Sequence, residues 1–177
     1  MNKITSPRTI GFVSENNQLL QYGDNLFHTA EPVTLEQLCY AMSLLLDEQF
    51  KRDGIISSPE YTKLYLVSKL SNREQEVFSC IHLDNKHRVI AYEDLFFGSI
   101  SSASVYPREV VKRCLYHNSA AIIFAHNHPS GIPEPSQADQ AITQRLTNAL
   151  ELIDVRVLDH IIVGGSDTVS MAERGLI

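Results

Sequence analysis

Two histidines two residues apart, His126 and His128, precede Pro129 and the loop Ser130-Gly131-Ile132-Pro133-Glu134-Pro135, after which come Ser136 and Asp139. The apolar run from Ala120 to Ala125 reads as a short buried strand. Side chains two apart on a strand share a face, so both imidazoles point the same way from its end. Pro129 stops ladder pairing, and helical spacing (Ile142, Leu146, Ala149, Leu150, Ile153) begins just after Ser136. Two ring nitrogens from a strand tip and one carboxylate from the next helix's first turn leave a fourth tetrahedral position open. That is the ligand count of a catalytic rather than a structural zinc. Ser136-x-x-Asp139 also has the form of a capping box, so both side chains have a helix-starting duty whatever else they do.

The elements that must position this group follow from periodicity and punctuation. Residues 1–54 differ from the rest. Thr9–Val13 and Gln18–Tyr22 suggest a hairpin, and Thr34-x-x-Gln37 opens a helix with Leu35, Leu38, Met42, Leu45 and Leu46 on one side. Asp53 to Pro59 reads as a linker, with Ser58 capping a helix from Pro59 to Leu70 whose apolar side is Leu64, Val67, Ser68 and Leu70. A strand then runs towards Leu83, Asp84–His87 turns, Arg88–Tyr92 returns, and Leu95-Phe96-Phe97 forms a further strand. A helix from Arg108 to His117 turns Val110, Val111, Cys114 and Leu115 inward. Strand 120–126, the helix from Gln137 to Leu152, and strands at 155–163 and 168–171 complete an α/β layered domain over residues 55–177.

The run His126-x-His128-Pro129…Ser136-x-x-Asp139 resembles the metal-binding motif of the JAMM (MPN+/JAB) zinc metalloproteases. Its surroundings resemble the RadC-like branch. The matching stretches include Ser101–Arg113, Val155–Gly165 and Ala172–Leu176, and the likeness covers residues 55–177. The resemblance implies a mixed sheet flanked by helices, with the cytidine-deaminase-like JAB/MPN architecture, and one zinc ion per chain on His126, His128 and Asp139. It implies a glutamate from an earlier strand as general base, which aligns with Glu76, and Ser136 as the oxyanion donor. By itself Glu76 would read as a solvated carboxylate at a strand edge, and Glu74 competes from two residues away. Longer RadC-like proteins carry a helix-hairpin-helix region ahead of this domain, and residues 1–54 show no glycine-centred hairpin of that kind.

The implied reaction is hydrolysis of a peptide or isopeptide bond, with Glu76 moving the proton of a zinc-held water to the leaving nitrogen. Two other readings compete with it. A metal-dependent nuclease or DNA-repair role is suggested by the RadC name and the letters His126-Asn127-His128. A net charge of −6 and a motif loop without basic residues speak against nucleic acid as a partner, although Arg108, Lys112 and Arg113 lie close together. A non-catalytic MPN scaffold is the third, but such modules usually lose ligands and all three are kept here. His160, Ser102 and Ser104 are secondary candidates for the cleft, while His82, His87 and His117 read as structural. Cys39, Cys80 and Cys114 are widely spaced among apolar residues and read as buried thiols. With no signal-peptide pattern and no apolar run of spanning length, the expected location is the cytoplasm, off the membrane.

Overall fold

The computed structural model describes residues 8–14, 17–22, 26–34, 36–38, 40–45, 59–98 and 105–177. Cys39, the linker at 53–58 with Ser58, and both Ser102 and Ser104 lie outside the described residues. The chain forms two compact units, Met1–Arg52 and Asp53–Ile177.

In the first unit, β1 (Arg8–Ser14) and β2 (Asn17–Tyr22) form the expected antiparallel hairpin. The sequence reading missed a third strand, β3 (Leu26–Thr29), which pairs antiparallel with β2. Helical turns follow at 36–38 and 40–45. Their start is the expected capping box, in which the Gln37 amide donates to Thr34 Oγ1 and the Thr34 amide donates to Gln37 Oε1. Leu19 and Ala41 are buried together, with Val33 and Leu45 against them.

The second unit is a five-stranded mixed sheet between helices. Its strands are β4 (Val77–Leu83), β5 (Val89–Phe97), β6 (Ala121–Asn127), β7 (Arg156–Gly164) and β8 (Asp167–Ser170), in the order β5-β4-β6-β7-β8. Only β6 and β7 run parallel. Every residue of β4 and β6 is buried, so these strands need cover on both faces. Helix α1 (Pro59–Leu70) contacts β6, β7 and β8 on one side. Helices α2 (Pro107–His117) and α3 (Gln137–Glu151) close the other, where Val110, Cys114, Leu146 and Leu150 meet Phe78, Cys80, Ile122 and Phe124. Alternation along the strands thus sends Ile122, Phe124 and His126 towards α2 and α3, and Asn127 the opposite way.

Three details differ from the sequence reading. Strand β5 is continuous where two strands were expected, with a register shift opposite Phe78 and Ser79. Glu93 and Asp94 do not break it because their carboxylates are satisfied. Asp94 accepts from Arg73, Ser79 and Tyr92, and Glu93 accepts from Arg113. Leu115, expected inside, is 62% exposed, since α2 presents only Val110 and Cys114 fully to the core. In α1 the buried residues are Thr62, Tyr65, Leu66 and Leu70, and Leu64 is exposed. Tyr65 meets Tyr92 edge-to-face at 5.4 Å and turns the helix to that side. Cys80 and Cys114 are buried free thiols, as expected.

The cover that α3 gives the sheet rests on a few large side chains, and Leu150 is fully buried among them. Leu150→Ala should cost about 2–5 kcal/mol. Urea unfolding should show this as a lower midpoint at unchanged slope; an unchanged midpoint would contradict the packing described.

Candidate metal centre

The site begins at the tip of β6. His126 is 1% exposed, and its ring is stacked beside that of Phe78, the residue opposite it on β4. His128 lies just beyond the strand, but its amide still donates to Val163 O of β7 at 2.8 Å, so the parallel pairing continues through it. The loop that follows folds back over the end of β7, where Gly164 leaves room for it. A Cβ at Gly164 would stand 2.6 Å from Pro133 N and 2.7 Å from Gly131 O, backbone atoms that cannot yield cheaply. The loop delivers Ile132 O to His128 Nδ1 at 2.8 Å. It then enters α3 through the expected capping box: Asp139 N donates to Ser136 Oγ at 3.1 Å, and Ser136 N donates to Asp139 Oδ2 at 2.7 Å.

Asp139 is thereby brought to the two histidines. His126 Nε2 and His128 Nε2 stand 2.9 Å apart, with Asp139 Oδ1 3.4 Å from the first and Oδ2 3.6 Å from the second. Donors about 2 Å from one ion stand about 3.3 Å apart in a tetrahedron. The three ligand atoms are therefore already spaced to hold one metal ion.

Hydrogen bonding fixes which nitrogens are free. Thr143 Oγ1 donates to Asp139 O at 2.5 Å, so it must accept from His160 Nδ1, also at 2.5 Å. His160 is fully buried and held neutral by that burial, which leaves its Nε2 to accept from His126 Nδ1 at 2.8 Å. His126 Nε2 is consequently bare. His128 Nδ1 donates to a carbonyl that can only accept, so in the neutral ring Nε2 of His128 is bare too. Two lone pairs and a carboxylate face one point with no donor among them, an arrangement that a proton or a metal cation relieves. Protonation is partly opposed: burial pushes His126 down to about 4, whereas Asp139 beside His128 raises that ring's pKa. Burial works to raise the Asp139 pKa, but His128, His126 and the Ser136 contacts hold it well below the usual carboxylate range.

Glu76 is half-buried immediately before β4, and its charge helps raise the His128 pKa. Its backbone is clamped by Asn127, whose Oδ1 accepts from Val77 N at 2.8 Å and whose Nδ2 donates to Gln75 O at 3.0 Å, on either side of it. Sequence reasoning gave Asn127 no role beyond the misleading tripeptide. Its signal was an amide-bearing side chain on a strand otherwise wholly apolar up to the histidines. Glu74 is exposed on a bend. His160 supports His126 from behind rather than joining the three donors. Arg108 and Lys112 both pair with Glu109, and Arg113 pairs with Glu93.

The family model described as the RadC-like JAB domain matches residues 56–176. The chain belongs to this family. Curated RadC-family relatives named only UPF0758 protein include one from Nitrosococcus oceani, 59% identical over 132 residues, covering 75% of this chain and 59% of the relative. A relative from Vibrio parahaemolyticus is 55% identical over 148 residues, 84% of this chain and 66% of its own length. This RadC-family chain thus spans between 59% and 66% of these relatives. Its five-stranded mixed sheet flanked by helices is the architecture the resemblance implied. No helix among the described residues is long and apolar enough to cross a membrane.

The buried imidazoles have a consequence for stability. His82, His126 and His160 all have lowered pKa values in the fold, about 4 for the first two, against 6.5 ordinarily. Below pH 6.5 the unfolded chain therefore binds protons that the folded chain refuses, and folding weakens as pH falls. His128, whose pKa is raised, acts alone in the opposite sense. Metal-free protein should show a urea midpoint that declines from about pH 6.5 towards 4; a flat midpoint across that window would contradict these assignments.

Proposed function

We propose that this chain is a zinc-dependent hydrolase of amide bonds, a metallopeptidase or isopeptidase, with the ion held by His126, His128 and Asp139. The observation that carries this is the convergence of two bare Nε2 atoms and a carboxylate, each ring fixed through its other nitrogen. When bound, zinc supplies Lewis acidity that activates water near neutral pH and polarises a carbonyl. Glu76 accepts the proton of the attacking water and passes it to the departing nitrogen, and the clamp from Asn127 fixes where it does so. Ser136 Oγ already accepts the Asp139 amide, so its own proton is free to be donated to the oxyanion. The substrate is a peptide or an isopeptide-linked protein. A net charge of −6, and the pairing of Arg108, Lys112 and Arg113 with carboxylates, support an amide over a phosphodiester.

The test is a panel of peptide and lysine-isopeptide substrates, run with zinc measured on each variant. Wild-type protein should contain zinc and turn over at least one substrate class, and His128→Ala and Asp139→Ala should each lose turnover together with one bound zinc per chain relative to wild type. Glu76→Gln should keep zinc and lose turnover. Ser136→Ala should keep zinc and lose about 10²–10³-fold in kcat, with about 1 kcal/mol of stability lost from the cap. Normal turnover by Glu76→Gln, or by chelator-stripped wild type, would overturn the proposal.

A further inference from the structure

A second group of donors lies on the same face of the sheet, at the far end of β4. His82 is fully buried, with its Nδ1 2.9 Å from Ser119 Oγ. Its Nε2 has no hydrogen-bond partner. That atom faces Glu93 Oε2 at 3.6 Å, too far for a hydrogen bond. However the Ser119 hydroxyl turns, Nε2 is left either as a bare lone pair beside a carboxylate or as a donor short of its acceptor. Both cost free energy in a buried site. From the end of α2, His117 brings its Nε2 to 3.0 Å from Glu93 Oε1, and the two imidazole centroids are 4.6 Å apart. One ligand atom from each of the three residues lies within 4.8 Å of the others.

We infer that His82, Glu93 and His117 form a second metal-binding site, selective for a divalent transition ion such as Zn2+, Co2+ or Ni2+. Two imidazole nitrogens and one carboxylate oxygen suit ions of that class, whereas Ca2+ and Mg2+ want oxygen alone. Burial holds His82 neutral, so its nitrogen is available as a ligand. His117 and Glu93 are only partly covered, at 14% and 21% side-chain exposure, which gives an ion a route in. The ion would tie β4, β5 and the end of α2 together. His82 is four residues along β4 from Phe78, the partner of His126, so the two centres are about 13 Å apart. Nothing in this set depends on His126, His128 or Asp139, and the two sites stand or fall separately.

Arg113 is the competing cation. Its guanidinium reaches both oxygens of Glu93 and comes within 3.2 Å of His117 Nε2. It is also partly exposed and lies over the Tyr116 ring at 4.5 Å, so it can withdraw towards that ring and solvent when an ion enters. Removing its charge should therefore strengthen metal binding rather than weaken it. A purely structural Arg–Glu–His cluster would respond to the same change by losing stability without gaining any affinity for metal.

The test uses the full chain, stripped with chelator and titrated with Co2+ by calorimetry and visible absorption. With His128→Ala and Asp139→Ala together, the first centre is gone and one Co2+ per chain should still bind. Adding His82→Gln, or the less buried His117→Ala, should weaken that binding at least about 100-fold. Adding Arg113→Gln instead should tighten it about tenfold. Circular dichroism confirms that each variant is folded. Absence of Co2+ binding in the folded first-site double variant, or binding indifferent to both His82→Gln and His117→Ala, would overturn the inference. If wild type binds one ion that His82→Gln removes and His128→Ala leaves, this site stands and the hydrolase proposal fails.

Discussion

Three hydrogen-bond acceptors aimed at one point, with no donor to reconcile them, form the constraint around which this site is built. In water, two imidazole nitrogens and a carboxylate would turn apart. Here they cannot. His126 is held by the ring of His160, which is held in turn by Thr143 on α3, and the Thr143 hydroxyl returns to the backbone of Asp139 itself. The chain of hydrogen bonds closes on the helix that supplies the third donor. A low-dielectric pocket makes the mutual repulsion larger than it would be at the surface, and makes a cation correspondingly more favourable there.

The same economy of parts positions the other side chains. His126-Asn127-His128 spans a strand end where successive side chains alternate, so the outer two serve the donor cluster while the middle one reaches the segment ahead of β4. Glu76 is therefore placed relative to the histidines through a single side chain and two adjacent strands, not through a flexible loop. The loop from Pro129 to Pro135 has its own anchor: Gly164 allows a backbone approach that any Cβ would prevent, and that approach brings Ile132 O to His128.

Much of this was legible in the residues. The strand tip and the capping box follow from spacing, because alternation along a strand and the first turn of a helix are short-range geometry; spacing allows His126, His128 and Asp139 to converge, and the family resemblance named them as a set. The Pro59 helix start was equally local, and the helix expected from Arg108 begins one residue earlier, at Pro107. What escaped the sequence was set by partners distant in the chain. Strand β5 continues through Glu93 and Asp94 only because Arg113 and Arg73 neutralise them. Leu64 and Leu115 were assigned to apolar faces that the helices, once docked, turn to solvent. His82 and His117 looked unremarkable because nothing in their own neighbourhoods reveals that Glu93 stands between them. His160 was weighed as a cleft residue and instead stands one layer behind, fixing the tautomer of His126.

Crystallography at the zinc absorption edge reads directly where the bare nitrogens point. Crystals grown from protein purified with zinc and without chelator should show an anomalous peak about 2 Å from His126 Nε2, His128 Nε2 and one oxygen of Asp139, with His126 Nδ1 still donating to His160. An ordered site without such a peak, or with the His126 and His128 rings turned so that their Nε2 atoms diverge, would contradict the account.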